Sequence, residues 1–69
     1  MIDQQNINSS NVKIAAYDDD VQTMYVEFIS GYRYKYVGIP RMAYENLCIA
    51  PSAGKYLKKI SQFYPGVKY

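Results

Sequence analysis

Four groupings of residues carry side chains able to do chemistry: Tyr34-Lys35-Tyr36, Ser52-Ala53-Gly54-Lys55, the acidic run Asp18-Asp19-Asp20, and the lone Cys48. Two tyrosines around a lysine suit base stacking with a phosphate contact between, and equally suit a strand that packs its rings into a core. Ser52, Gly54 and Lys55 suit an anion at a helix N-terminus, where exposed N–H groups and the helix dipole favour negative charge. They are not a Walker A loop, because the upstream glycine is missing and Tyr56 stands where Ser or Thr would meet magnesium. The plainer reading is that Ser52 caps the helix and Gly54 allows close packing. The three aspartates lack the alternate spacing and distal Glu of a calcium loop, so they read as a solvated turn. Cys48 lies in the apolar run Leu47-Cys48-Ile49-Ala50 and reads as a small buried hydrophobe.

What is missing narrows the chemistry further. The chain has no His, so it has no catalytic triad, no Cys-His pair and no near-neutral imidazole base. One Cys supplies neither a zinc site nor an internal disulfide. A non-catalytic protein is expected, with no cofactor and no metal. The net charge of +2 is weakly basic, which permits an anionic partner without requiring one. No apolar run is long enough to span a membrane, and the N-terminal residues lack a signal-peptide pattern, so a cytoplasmic setting with no membrane partner is expected.

The elements that must position these groups follow from periodicity. The 69 residues fit one small domain, and a hydrophobic content of 49% is enough to fold it. Residues 1–8 are polar and read as a flexible segment, with a single domain over 9–69. Residues 11–17 and 21–29 alternate with period two, and 33–38 form a third strand, separated by the aspartate turn and by Ser30-Gly31. Matching parity pairs Ile14 with Met24 and Val12 with Val26, then Val26 with Tyr36 and Phe28 with Tyr34. Glu27 then faces Lys35. The apolar face is Val12, Ile14, Met24, Val26, Phe28, Tyr34 and Tyr36, and the buried phenols require partners near Ser9, Ser10 or Asn11.

The opposite face shows Lys13, Tyr17, Thr23, Tyr25, Glu27, Arg33 and Lys35. Aromatic residues among cations on an open sheet suit unstacked bases, and an ordinary solvated face is the simpler alternative. Pro40 opens a helix with Met42, Ala43, Leu47 and Ala50 inward and Tyr44 and Cys48 alongside, closed at Ala50-Pro51. Ser52 starts a second helix that buries Tyr56, Leu57, Ile60, Phe63 and Tyr64 and leaves Lys55, Lys58, Lys59 and Gln62 in water, and Tyr64-Pro65-Gly66 stops it. The expected fold class is α+β, a three-stranded antiparallel meander followed by two helices packed on one face, β-β-β-α-α.

Read together, Ser9-Ser10-Asn11, Tyr17-Asp18, Phe28 with Gly31, Tyr34-Lys35-Tyr36, Gly38-Ile39-Pro40, Tyr44, Ala50, Ser52-Ala53-Gly54, Tyr56, Ile60 and Tyr64-Pro65 resemble the KTSC domain family over about residues 8–69. Ile39 in place of a usual Val, Pro51, and Ala16 in place of a common Gly depart from its pattern without disturbing the fold. The family occurs at the C-terminus of some lysyl-tRNA synthetases and as stand-alone bacterial or phage proteins, which implies a link to RNA. Ser9, Ser10, Tyr34, Tyr36 and Pro40 then carry family motifs of structural character. The expected partner is RNA or single-stranded nucleic acid, met by Lys13, Tyr25, Arg33, Lys35, Lys55, Lys58 and Lys59. The alternative is a protein-interaction module, either self-associating as a homo-oligomer or acting as a phage-encoded modulator of a host protein.

Overall fold

The computed structural model describes residues 2–69. The elements run β1 (Ile2–Asn6), β2 (Val12–Asp18), β3 (Thr23–Phe28), β4 (Arg33–Val37), α1 (Arg41–Ile49), α2 (Ala53–Ile60) and β5 (Gly66–Lys68). All neighbours in the sheet are antiparallel, in the order β1-β2-β3-β4-β5. The fold is therefore α+β with two helices, as expected, and the expected three-stranded meander is corrected to a five-stranded sheet. Two strands carry too little apolar signal to stand out in sequence. β1, expected to lie in a flexible segment, is a mostly exposed edge strand with one aliphatic residue, and β5 is three residues long. Met1 lies outside the described residues.

The faces of β2 also differ from expectation. A bulge between Val12 and Ile14 sets Val12 opposite Phe28 but Ala15 opposite Val26 and Tyr17 opposite Met24. The extra residue, Lys13, flips the inward parity for the rest of the strand. Ala15 and Tyr17 thus point into the core, and Tyr17, expected on the open face, is only 1% exposed. Ile14 and Ala16 take the open face instead. The second hairpin slips by two residues, which preserves its faces: Val26 pairs with Tyr34 and Met24 with Tyr36. Glu27 consequently faces Arg33, and the expected Glu27–Lys35 pair does not form. Its loop closes with Phe28 N donating to Tyr32 O and Gly31 N donating to Phe28 O, with Gly31 at φ +99°.

The core joins the sheet to both helices through Val12, Ala15, Tyr17, Met24, Val26, Tyr36, Ile39, Tyr44, Leu47, Leu57 and Ile60. The Tyr17 and Tyr44 rings stack at 5.7 Å, and the Tyr17 hydroxyl donates to Ile39 O at 2.6 Å. Each helix is shorter on its apolar side than the sequence pattern suggests. Met42 is 69% exposed, and Phe63, beyond the end of α2, is 72% exposed, so neither belongs to the core. Pro40 sits one position earlier than expected, as the N-cap of α1 with extended backbone. Among the described residues, no helix is long and apolar enough to cross a membrane.

Candidate nucleic-acid interface

Charge is divided between the two ends of the molecule. At one end Arg41, at the start of α1, reaches three carboxylates. It donates to Asp3 on β1, to Asp19 in the β2–β3 turn at 2.6 Å, and to Glu45 one helical turn on at 3.1 Å. Those bonds, Asp3 first, hold the guanidinium even more firmly in its charged form. The same group lies 5.9 Å from the Tyr17 ring centre and 5.8 Å from that of Tyr44. Asp18 Oδ1 accepts from Asp20 N, closing the aspartate turn on itself as a solvated Asx turn.

The remaining cations stand on β2, β4, α2 and β5. Glu27 is taken by Lys13, whose Nζ is 4.0 Å from Oε2. Among the described residues, Arg33, Lys35, Lys55, Lys58, Lys59 and Lys68 have no carboxylate partner. Arg33 instead stands 5.5 Å over the Tyr69 ring, and Lys68 Nζ stands 4.1 Å over that of Tyr32. Tyr69 meets Tyr25 edge-on at 6.0 Å, so two rings and a guanidinium line a shallow depression of about 270 Å³ on the open sheet face, with the Glu27 carboxylate also on its wall. Lys35 lies directly across from Tyr25 on one side and from Val67 on the other.

These positions sort the expected site residues. Tyr25, Arg33 and Lys35 come together. Lys13 does not flank Tyr25; Ala16 lies across from that ring, and Lys13 occupies the bulge beside Glu27. Lys55 and Lys58 line a separate, open cleft of about 720 Å³ between α2 and the β3–β4 hairpin, together with Ser10, Asn11, Phe28 and Ser30. Lys59 is exposed on α2 but does not line that cleft.

Ser52 and Gly54 border the cleft in structural roles. Ser52 Oγ accepts from Lys55 N at 3.4 Å as the helix cap. A Cβ on Gly54 would come within 2.9 Å of Asn11 Nδ2, so glycine lets α2 approach the start of β2. Ser9 Oγ accepts from Asn11 N and Val12 N and so fixes the strand entry. It does not meet a core phenol, as was expected of this segment. Tyr36 is buried, which pushes its phenol pKa up, and Tyr34 packs edge-on to Phe28 at 5.6 Å. Cys48 is half-buried, and burial raises its thiol pKa, as a packing residue requires.

Sequence reasoning passed over Arg41, Lys68 and Tyr69. Arg41 showed only its helical Glu45 spacing, since Asp3 and Asp19 meet it through the fold. Tyr69 joins the face because its N–H donates to Arg33 O, extending β5 past its last assigned residue. Among the described residues, no group of three or more Cys, Asp or Glu is placed to hold a metal ion.

Comparison with known proteins agrees with this architecture. A family model described as the KTSC domain matches residues 8–62. The crystal structure of a KTSC domain protein from Yersinia pestis is similar at 27% identity and a TM-score of 0.84, covering 100% of this chain and 99% of that one. A search of the curated proteins finds no match. With the motifs from Ser9 to Tyr56 inside the matched span and the whole fold shared, the chain belongs to the KTSC domain family.

Proposed function

We propose that this chain is a non-catalytic, cytoplasmic binding module for RNA or single-stranded nucleic acid. The observation that carries the reading is the set of unpaired cations interleaved with accessible rings. Arg33 and Lys35 stand beside Tyr25 and Tyr69, and Lys68 beside Tyr32, while Asp3, Asp19 and Glu45 are gathered around Arg41. Cations without internal partners are available to phosphates, and binding through them releases counterions. Rings on an open sheet give bases a stacking surface that tolerates any sequence.

Fluorescence anisotropy with a labelled single-stranded RNA tests the reading. Binding is expected at low salt and should weaken steeply as salt rises. Arg33→Glu combined with Lys35→Glu should abolish it. No binding at low salt, or binding that survives the double variant, overturns the proposal.

A second reading, association with another protein or a second copy of the chain, is favoured by one further observation. Ile2, Val37 and Val67 are 59%, 61% and 52% exposed on strands β1, β4 and β5. Sedimentation at high protein concentration separates self-association from a monomeric RNA binder.

A further inference from the structure

We propose that the cleft between α2 and the β3–β4 hairpin is a nucleotide subsite, which takes one phosphate-bearing nucleotide unit with its base against Phe28 and its phosphate at Lys55 and Lys58. The inference rests on the nucleic-acid reading above and extends it to the opposite side of the sheet. The cleft, of about 720 Å³, falls within the range of small-molecule sites. Its walls combine three chemistries. Phe28 is an aromatic wall whose ring is held by its edge contact to Tyr34. Asn11 brings a side-chain amide, both donor and acceptor, with no hydrogen-bond partner among the described residues. Lys55 and Lys58, three residues apart on α2, place two ammonium groups on one helix face.

Among the described residues no carboxylate lines the cleft or pairs with those lysines. An aromatic wall, a two-way amide and paired cations match the ring face, the hydrogen-bonding edge and the phosphate of a nucleotide. Ser52 already occupies the Lys55 N–H, so that donor does not serve the anion. The two ammonium groups supply the positive charge, and Gly54 lets the Asn11 amide lie close against α2.

The experiment is a ¹⁵N NMR titration of the full chain with AMP, inorganic phosphate and a single-stranded hexaribonucleotide in parallel. AMP should shift the Asn11 side-chain amide and the backbone amides of Lys55 and Lys58. Inorganic phosphate should bind at least about tenfold more weakly, since it lacks the base. The Lys55→Glu, Lys58→Glu double variant should lose about tenfold or more in AMP affinity. Circular dichroism confirms that each variant is folded.

Shifts at the cleft with both AMP and the oligonucleotide support a subsite that accepts a nucleotide within a strand. Shifts at the cleft with AMP, but no oligonucleotide binding anywhere, retain the subsite for free nucleotides and overturn the RNA reading. Oligonucleotide shifts confined to Tyr25, Arg33 and Lys35 retain the RNA reading and overturn the subsite. Equal affinity for phosphate and AMP also overturns the subsite, and so does AMP binding that survives both lysine changes.

Discussion

The two ends of this small domain use charge in opposite ways. Around Arg41 each guanidinium nitrogen meets a carboxylate, and the network ties β1, the β2–β3 turn and α1 into one structure. Around the β3–β4 hairpin and α2 the cations have no carboxylate partner among the described residues, with Arg33 and Lys68 standing over rings and Lys55 and Lys58 lining a cleft. A closed network rigidifies what it joins, whereas open cations contribute little to folding and remain available for an anion. The comparison predicts that changes at the acidic end cost stability, and that changes at the basic end cost binding.

The largest effect is expected from Tyr17→Ala. The side chain is buried, stacks on Tyr44, lies beneath the Arg41 guanidinium and bonds Ile39 O. Its removal should cost about 3–5 kcal/mol, a large share of the stability of a domain this size. Chemical denaturation measures the loss, and a cost below about 1 kcal/mol would show that the acidic end is not a structural centre.

Arg41→Ala should come next. It strands Asp3, Asp19 and Glu45 beside one another without their shared cation, and it releases β1 from α1. The melting temperature should fall, and hydrogen exchange should accelerate first in the Ile2–Asn6 amides. Arg41→Lys should recover only part of the loss, because an ammonium cannot direct bonds to three separate carboxylates as the planar guanidinium does. A variant that melts and exchanges like the parent chain would reduce the network to surface decoration.

Tyr17 and Arg41 also show how far a sequence carries. Alternation found β2, β3 and β4 and named Val12, Met24, Val26 and Tyr36 as core, since those residues bury in a period that survives any even slip of register. It misplaced Tyr17 because one bulged residue, Lys13, inverts the strand beyond it, and no local residue choice announces that inversion. β1 and β5 escaped because an exposed edge needs backbone partners rather than apolar side chains. The candidate site divides along the same line. Arg33 and Lys35 were legible from strand parity, and Lys55 and Lys58 from helical spacing. The cleft that Lys55 and Lys58 share with Asn11 and Phe28 is created by tertiary contact alone.

A smaller effect at the acidic end is expected in alkali. The buried Tyr44 phenol is pushed up to about 12, chiefly by burial, with the Cys48 thiol adding to it. Below the ordinary value of 10.0 the group is neutral in both folded and unfolded chains, and its contribution is intact. As pH rises from there towards about 12, the unfolded chain ionises first and stability falls. Absorbance at 295 nm, compared with a Tyr44→Phe variant, should isolate a late ionisation step. Its absence would contradict the burial of the hydroxyl. The same variant should change stability little at pH 7, because the Cys48 thiol is a weak hydrogen-bond partner for the hydroxyl it removes.

The smallest change in folding is expected at the other end. Lys55→Ala and Lys58→Ala remove exposed side chains that carry no ion pair among the described residues, so stability should move by no more than about 0.5 kcal/mol. Their effect should appear instead in the salt dependence of RNA binding, where each lost phosphate contact lowers the slope of log K against log salt by about 0.7. A sheet-face change such as Lys35→Ala should lower it by a similar step, and combining the two surfaces should add the steps, since they lie on opposite sides of the sheet. If only the sheet-face change alters the slope, the bound strand stays on that face. If only the α2 changes alter it, the strand runs through the cleft, and Tyr25 and Tyr69 become surface packing.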